Sequence, residues 1–81
     1  PFPRPMTHDL LSSIIEQMGG TIEKIVINNL QDRTYFARIY IRQNGKLLDI
    51  DSRPSDAIAL GVAGTVPIFV ADHVLDEACK N

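Results

Sequence analysis

A two-residue turn, Asn44-Gly45, separates two runs of alternating residues and constrains this chain more than any other feature. Both residues tolerate the positive φ of a type I′ turn, so the pair predicts a tight β-hairpin. So short a loop dictates the pairing. Gln43 falls opposite Lys46, Arg42 opposite Leu47, Ile41 opposite Leu48, Tyr40 opposite Asp49, Ile39 opposite Ile50 and Arg38 opposite Asp51. Ile39, Ile41, Leu48 and Ile50 then share one face, expected to be buried. Arg38, Tyr40, Asp49 and Asp51 share the other. A slip of one residue would mix the two sets, so the register is well specified.

The flanking segments supply the remaining elements. Thr7 is placed to cap a helix and Asp9 to complement its dipole. Leu10, Leu11, Ile14, Ile15 and Met18 recur at helical spacing, and Gly19-Gly20 supplies a left-handed stop. Thr21 to Asn28 is β-branched and partly alternating, a strand, and Leu30 to Arg33 reads as a turn. Pro54 suits the first position of a helix over Ser55 to Ala63. That helix is apolar on most sides, so burial is expected, with Gly64 ending it and Gly61 weakening it. Val66 to Val70 predicts a short edge strand, and Asp72 caps a last short helix through Ala78. The order implies an α+β domain: a small, mostly antiparallel sheet containing a β-hairpin, packed with two main helices and a short C-terminal helix. Strands are few for two faces of helices. Partner strands from an N-terminal segment or another subunit are expected.

With 81 residues, the chain corresponds to one small domain or part of one. Hydrophobic residues make up 44% and charged residues 22%, which favours a folded core over disorder. A formal charge of −2 provides no global field for a polyanion, so nucleic-acid contact would need a local basic patch. Cys79 is the single cysteine, which rules out an intrachain disulfide and fits a reducing compartment. No apolar run is long enough to span a bilayer, so no membrane partner is expected. His8 and His73 are isolated, and no HExxH, GxSxG, P-loop or GxGxxG motif is present.

Chemistry concentrates where the second hairpin strand hands over to the apolar helix, at Asp49 to Leu60. Asp51 and Asp56, with Asp49, could hold Mg²⁺ or Mn²⁺ for phosphodiester hydrolysis, or raise one another's pKa to act as general acid or base. Equally, Asp51 could form a cross-strand ion pair with Arg38, and Asp56 could serve as a helix cap. Arg53, just before a helix N-terminus, could clamp a phosphate or pair with Asp56. Arg38 and Arg42, interleaved with Phe36 and Tyr40, resemble a surface that stacks bases and neutralises phosphates, or a half-solvated sheet face. His8, in the first turn of the first helix, is a candidate general acid/base or an ordinary structural histidine. His73 is assigned to the surface.

Two blocks, Arg4-Pro5-Met6-Thr7-His8-Asp9-Leu10 and Asp49-Ile50-Asp51-Ser52-Arg53-Pro54-Ser55-Asp56-Ala57-Ile58-Ala59-Leu60, resemble the signatures of the bifunctional nuclease domain family. Val66 to Val70 and Val74 to Ala78 fit as well, so the resemblance covers essentially the whole chain. It implies an intracellular, cytoplasmic α+β domain credited with RNase and DNase activity. It also implies that residues 1–81 are the C-terminal part of that domain, after a strand-rich N-terminal segment. Ser52 stands where alanine is usual, and Gly61 is a further departure.

A nuclease of low sequence specificity is therefore expected. Asp51, Asp56 and His8 would be catalytic, with Asp51 and Asp56 also candidate ligands for a divalent ion. Arg53, Ser55, Arg38 and Arg42 would bind RNA or DNA. The competing expectation is a non-enzymatic regulatory or homo-oligomerising module that uses the same junction as a capped, ion-paired interface. A small-ligand-binding domain using the helix N-terminus is a third.

Overall fold

The hairpin forms in the register its turn dictates: all six pairs from Gln43 opposite Lys46 to Arg38 opposite Asp51 are present, with Asn44 and Gly45 at positive φ. The computed structural model describes residue 4, residues 6–31 and residues 34–71. Along the chain these form α1 (Thr7–Gln17), β1 (Gly20–Gln31), β2 (Thr34–Gln43), β3 (Lys46–Ser52), α2 (Pro54–Gly64) and β4 (Ile68–Val70). The strands make one mixed sheet in the order β3-β2-β1-β4, with β4 parallel to β1 and the other pairs antiparallel. The fold is α+β, with the hairpin and the two main helices that the sequence implies. Of the turn expected over Leu30 to Arg33, Leu30 and Gln31 belong to β1 instead, and Asp32 and Arg33, like the expected helix from Asp72 to Ala78, His73 and Cys79, lie outside the described residues.

The core is one layer thick. Ile25 and Ile27 of β1, Ala37, Ile39 and Ile41 of β2, and Ala57 and Leu60 of α2 are buried together. Ile22 joins that cluster although it lies three residues from Ile25, which strict alternation forbids. A β-bulge at Glu23 resolves the conflict: Ile22 pairs with Ile41 and Lys24 with Tyr40, so one extra residue returns the strand to phase. Gln43 then ties the helix layer to the sheet, its amide donating to the Met18 carbonyl at 2.8 Å.

Several local expectations are corrected. Thr7 is the first helical residue and not the cap. The cap is Met6, whose carbonyl accepts from the Leu10 N–H at 2.9 Å and starts the helix one residue earlier. Gly64 ends α2 as expected, and the left-handed residue that follows it is Thr65 (φ 55°). Leu48 and Ile50 are 38% and 42% exposed, against 6% for Ile39 and Ile41, because β3 is the edge strand and the helices cover β1 and β2. Nor is α2 buried all round. Ala57, Leu60 and Gly61 face the sheet, whereas Ile58 and Val62 are exposed. Gly61 has a packing role beside its cost in helix propensity. A Cβ there would lie 2.8 Å from Ile25 Cδ1 and 3.1 Å from Ile68 Cδ1, so glycine is what lets α2 approach β1 and β4.

Two stability predictions follow from these contacts. Gly61→Ala gains about 1 kcal/mol of helix propensity but overpacks a site where fully buried Ile25 cannot swing away, costing about 1–3 kcal/mol. Urea denaturation should show a net loss of stability, and a gain would contradict the close approach. Thr65→Gly relieves a β-branched residue of the left-handed conformation and should stabilise by about 1 kcal/mol in the same measurement.

Candidate active site

A solvent-open cavity of about 440 Å³ lies where α1, β3 and α2 meet. Thr7, His8 and Leu11 line it from α1, Ile50, Asp51 and Ser52 from β3, and Asp56 and Ala59 from α2, with Ile39 forming the floor. The local sequence explains this convergence. Arg53 is the single extended residue between strand and helix, and Pro54 at the first helical position turns the chain at once. The first turn of α2 therefore sits directly beside the end of β3. The helix layer then brings the first turn of α1 to the same corner, where His8 is half-buried.

Of the residues singled out from sequence, the cavity gathers His8, Asp51 and Asp56. Asp51 borders it from the edge strand, and by strand alternation its carboxylate belongs to the open face shared with Arg38 and Asp49. No partner is described for the Asp51 carboxylate. Arg53 reaches the site through Asp56, donating from Nε to Oδ2 at 2.9 Å and from Nη2 to Oδ1 at 3.2 Å. Those two bonds hold the Asp56 carboxyl below its ordinary range, so it stays ionised and makes a poor general acid. His8 Nε2 lies 3.7 Å from Asp9 Oδ1, a loose contact that leaves the ring free to meet a ligand.

Other candidates lie elsewhere. Ser55 is exposed and does not line the cavity. Arg38 is on the open face of the sheet, over the Phe36 ring at 5.5 Å, and its Nη1 is 3.6 Å from Asp49 Oδ1. The ion pair expected between Arg38 and Asp51 is thus made diagonally with Asp49, although Asp51 is the residue directly opposite. Arg42 donates to both Glu23 oxygens, at 2.6 and 3.3 Å, which lowers the Glu23 pKa and raises that of Arg42. Glu23 was hidden from sequence reasoning by the bulge. The three-residue step between the core residues Ile22 and Ile25 was the available signal.

A resident divalent ion does not fit this arrangement. Both Asp56 oxygens are taken by the Arg53 guanidinium, and the Asp51 carboxylate belongs to the open face of the sheet, away from the helices. Among the described residues no group of three or more His, Cys, Asp or Glu side chains converges to hold a metal. A further cavity of about 300 Å³, between Ser12, Glu16, Thr21 and Val66, carries one carboxylate and no second titratable group.

The chain belongs to the bifunctional nuclease domain family, which matches over residues 1–81. It is 37% identical over 76 residues to an uncharacterized protein of Mycobacterium tuberculosis, covering 94% of this chain and 44% of that protein. It is also 31% identical over 74 residues to Bifunctional nuclease 2 of Arabidopsis thaliana, with 88% of this chain and 22% of the relative covered. Bifunctional nuclease 1 of japonica rice is 30% identical over 71 residues, with 84% and 22% covered. The chain thus spans less than half the length of these relatives.

The two tight pairs predict a pH dependence. Asp56 and Glu23 have depressed folded-state pKa values, so the stability they contribute is present above the ordinary carboxylate range. It is lost as pH falls through the lowered values. The urea midpoint of wild type should therefore exceed that of Arg42→Ala at pH 7, and the gap should close at low pH and in high salt. A gap independent of pH would remove the ion pair as its cause.

Proposed function

We propose that this domain cleaves phosphodiester bonds in RNA and DNA with little sequence preference, in the cavity between α1, β3 and α2. One observation carries the reading: in a member of this family, His8 of α1 and Asp56 of α2, with Arg53 bonded to it, meet at one open corner. Phosphodiester hydrolysis needs a group to take a proton from the nucleophile, one to supply a proton to the leaving oxygen, and positive charge on the phosphate. His8 moves the proton. It takes it from the attacking water and passes it to the leaving oxygen. Arg53 offers its guanidinium to a phosphate oxygen at the N-terminal end of α2, with Asp56 holding it in place. Arg38 and Arg42 contribute to substrate tracking only by giving up Asp49 and Glu23, so their role is secondary.

The test is cleavage of single-stranded RNA and DNA by the purified full-length protein, with and without EDTA. His8→Ala should lower the rate by about 10²–10⁴-fold, with folding checked by circular dichroism. Arg53→Ala should raise KM, and Asp56→Asn should do the same more weakly, as expected of a positioning residue. Undiminished cleavage by His8→Ala would sink this mechanism. Loss of all cleavage in EDTA would instead show that a cation takes part in the reaction.

A second reading, a homo-oligomeric assembly module in the cytoplasm, is favoured by a different observation. Leu10, Ile14 and Met18 of α1 and Ile58 and Val62 of α2 are exposed, although apolar residues of this size normally find cover. Sedimentation of wild type against Ile14→Glu tests it. A fall in oligomer mass with cleavage unchanged would support assembly as a separate property, and a monomeric wild type would end it.

A further inference from the structure

Among the described residues, the outer edge of β3 has no strand beside it. A two-residue turn makes Gln43 and Lys46 a hydrogen-bonded pair, and antiparallel pairing then alternates. Lys46, Leu48, Ile50 and Ser52 therefore bond to β2. The N–H and C=O groups of Leu47, Asp49 and Asp51 point away from the sheet. Among the described residues no strand pairs with them, because β3 ends the sheet. Natural edges of this kind are commonly protected by proline, a bulge or an inward charge. β3 carries no proline, and its pairing with β2 runs without a register shift.

Side chains on the two sides of this edge differ sharply. On the helix side Leu48 and Ile50 are exposed, and a trough continues past them. It is formed by the 440 Å³ cavity and by a second space of about 160 Å³ that shares Ile50 and is lined mainly by Ile15, Met18, Ile41 and Leu48. On the open side stand Leu47, Asp49 and Asp51, with Arg38 Nη1 3.6 Å from Asp49 Oδ1 and Arg42, bound to Glu23, opposite Leu47. An added strand would meet apolar side chains below and carboxylates above.

The sheet edges among the described residues do not match that pattern. Pairing β3 with a second β3 in antiparallel register sets Asp49 against Asp49 or Asp51, and like charges directly opposite repel. The other sheet edge, β4, is three residues long, entirely apolar, and offers no cation.

We propose that β3 binds, by strand addition, an extended basic-apolar segment of a protein partner. Read antiparallel to β3, the segment places Lys or Arg opposite Asp51 and Asp49. Apolar residues lie opposite Ile50, Leu48 and Leu47. Main-chain bonds to Leu47, Asp49 and Asp51 supply affinity, and the alternating side chains supply selectivity. This does not depend on the nuclease reading, since it uses the strand edge and not the proton chemistry of His8.

Blocked peptides with the central sequence Lys-Val-Lys-Val-Val, and the same with Glu for Lys, test the proposal by NMR titration and amide hydrogen exchange. The Lys peptide should bind saturably and about tenfold more tightly than the Glu peptide, given two cross-strand charge pairs. It should slow exchange at Leu47, Asp49 and Asp51. Asp49→Pro removes an outward N–H without touching the bonds to β2 and should abolish binding. Asp49→Lys, which keeps the backbone intact, should narrow the Lys-over-Glu preference severalfold. Equal binding of the two peptides, binding that survives Asp49→Pro, or edge amides already protected in the free protein would each overturn the proposal.

Discussion

The structure depends on how closely α2 can lie against the sheet. Gly61 has no side chain at the point where Ile25 Cδ1 and Ile68 Cδ1 press upward, so the helix settles onto β1 and β4 and seals Ile25 completely. With so few buried residues in a one-layer core, no other contact could replace that seal. The consequence reaches the far end of the helix. α2 is held at its C-terminal half by Gly61, and its first turn follows β3 after a single residue. Arg53 and Asp56 are therefore presented at a fixed corner of the sheet.

The same one-sided architecture divides the surface into two kinds. On the helix side, apolar residues outnumber the positions the sheet can cover, so Leu10, Ile14, Ile58 and Val62 remain exposed. On the open side the charges nearly cancel. Arg42 is bound by Glu23 and Arg38 is near Asp49, while Lys24 sits over the Tyr40 ring at 5.1 Å. Arg38, Arg42 and Arg53 each have a carboxylate partner in the fold. Phosphate binding on that face must displace an existing ion pair, whereas at the cavity Arg53 can share its guanidinium between Asp56 and a ligand. This contrast gives the cavity, and not the aromatic-basic strand, the central place in the functional reading.

Much of the fold was legible because the relevant signals are local. Asn44-Gly45 set the pairing of β2 and β3, Gly19 supplied the positive φ after α1, and Pro54 opened α2 where a proline belongs. Less of the site was legible. Asp56 and Arg53, three residues apart, could be seen as a possible pair, and they are one. That His8 shares a cavity with Asp51 and Asp56 could not be seen, because it depends on where α1 rests on the sheet. The Arg38 partner was misassigned by one cross-strand step, since a long side chain on a twisted sheet reaches a diagonal neighbour as readily as the opposite one.

By itself, the sequence determined the elements, the hairpin register and which residues belong to each face of β2 and β3. Those follow from backbone conformational preferences and a period of two, which act over a few residues. Tertiary structure alone decided that Gly61 is a point of close approach. It also decided that a bulge at Glu23 places a carboxylate on Arg42, and that β3 ends the sheet with Leu48 and Ile50 exposed. Each of these depends on which surfaces meet across long stretches of chain. Packing of that kind is set by the shape of the whole core, and no window along the sequence contains it.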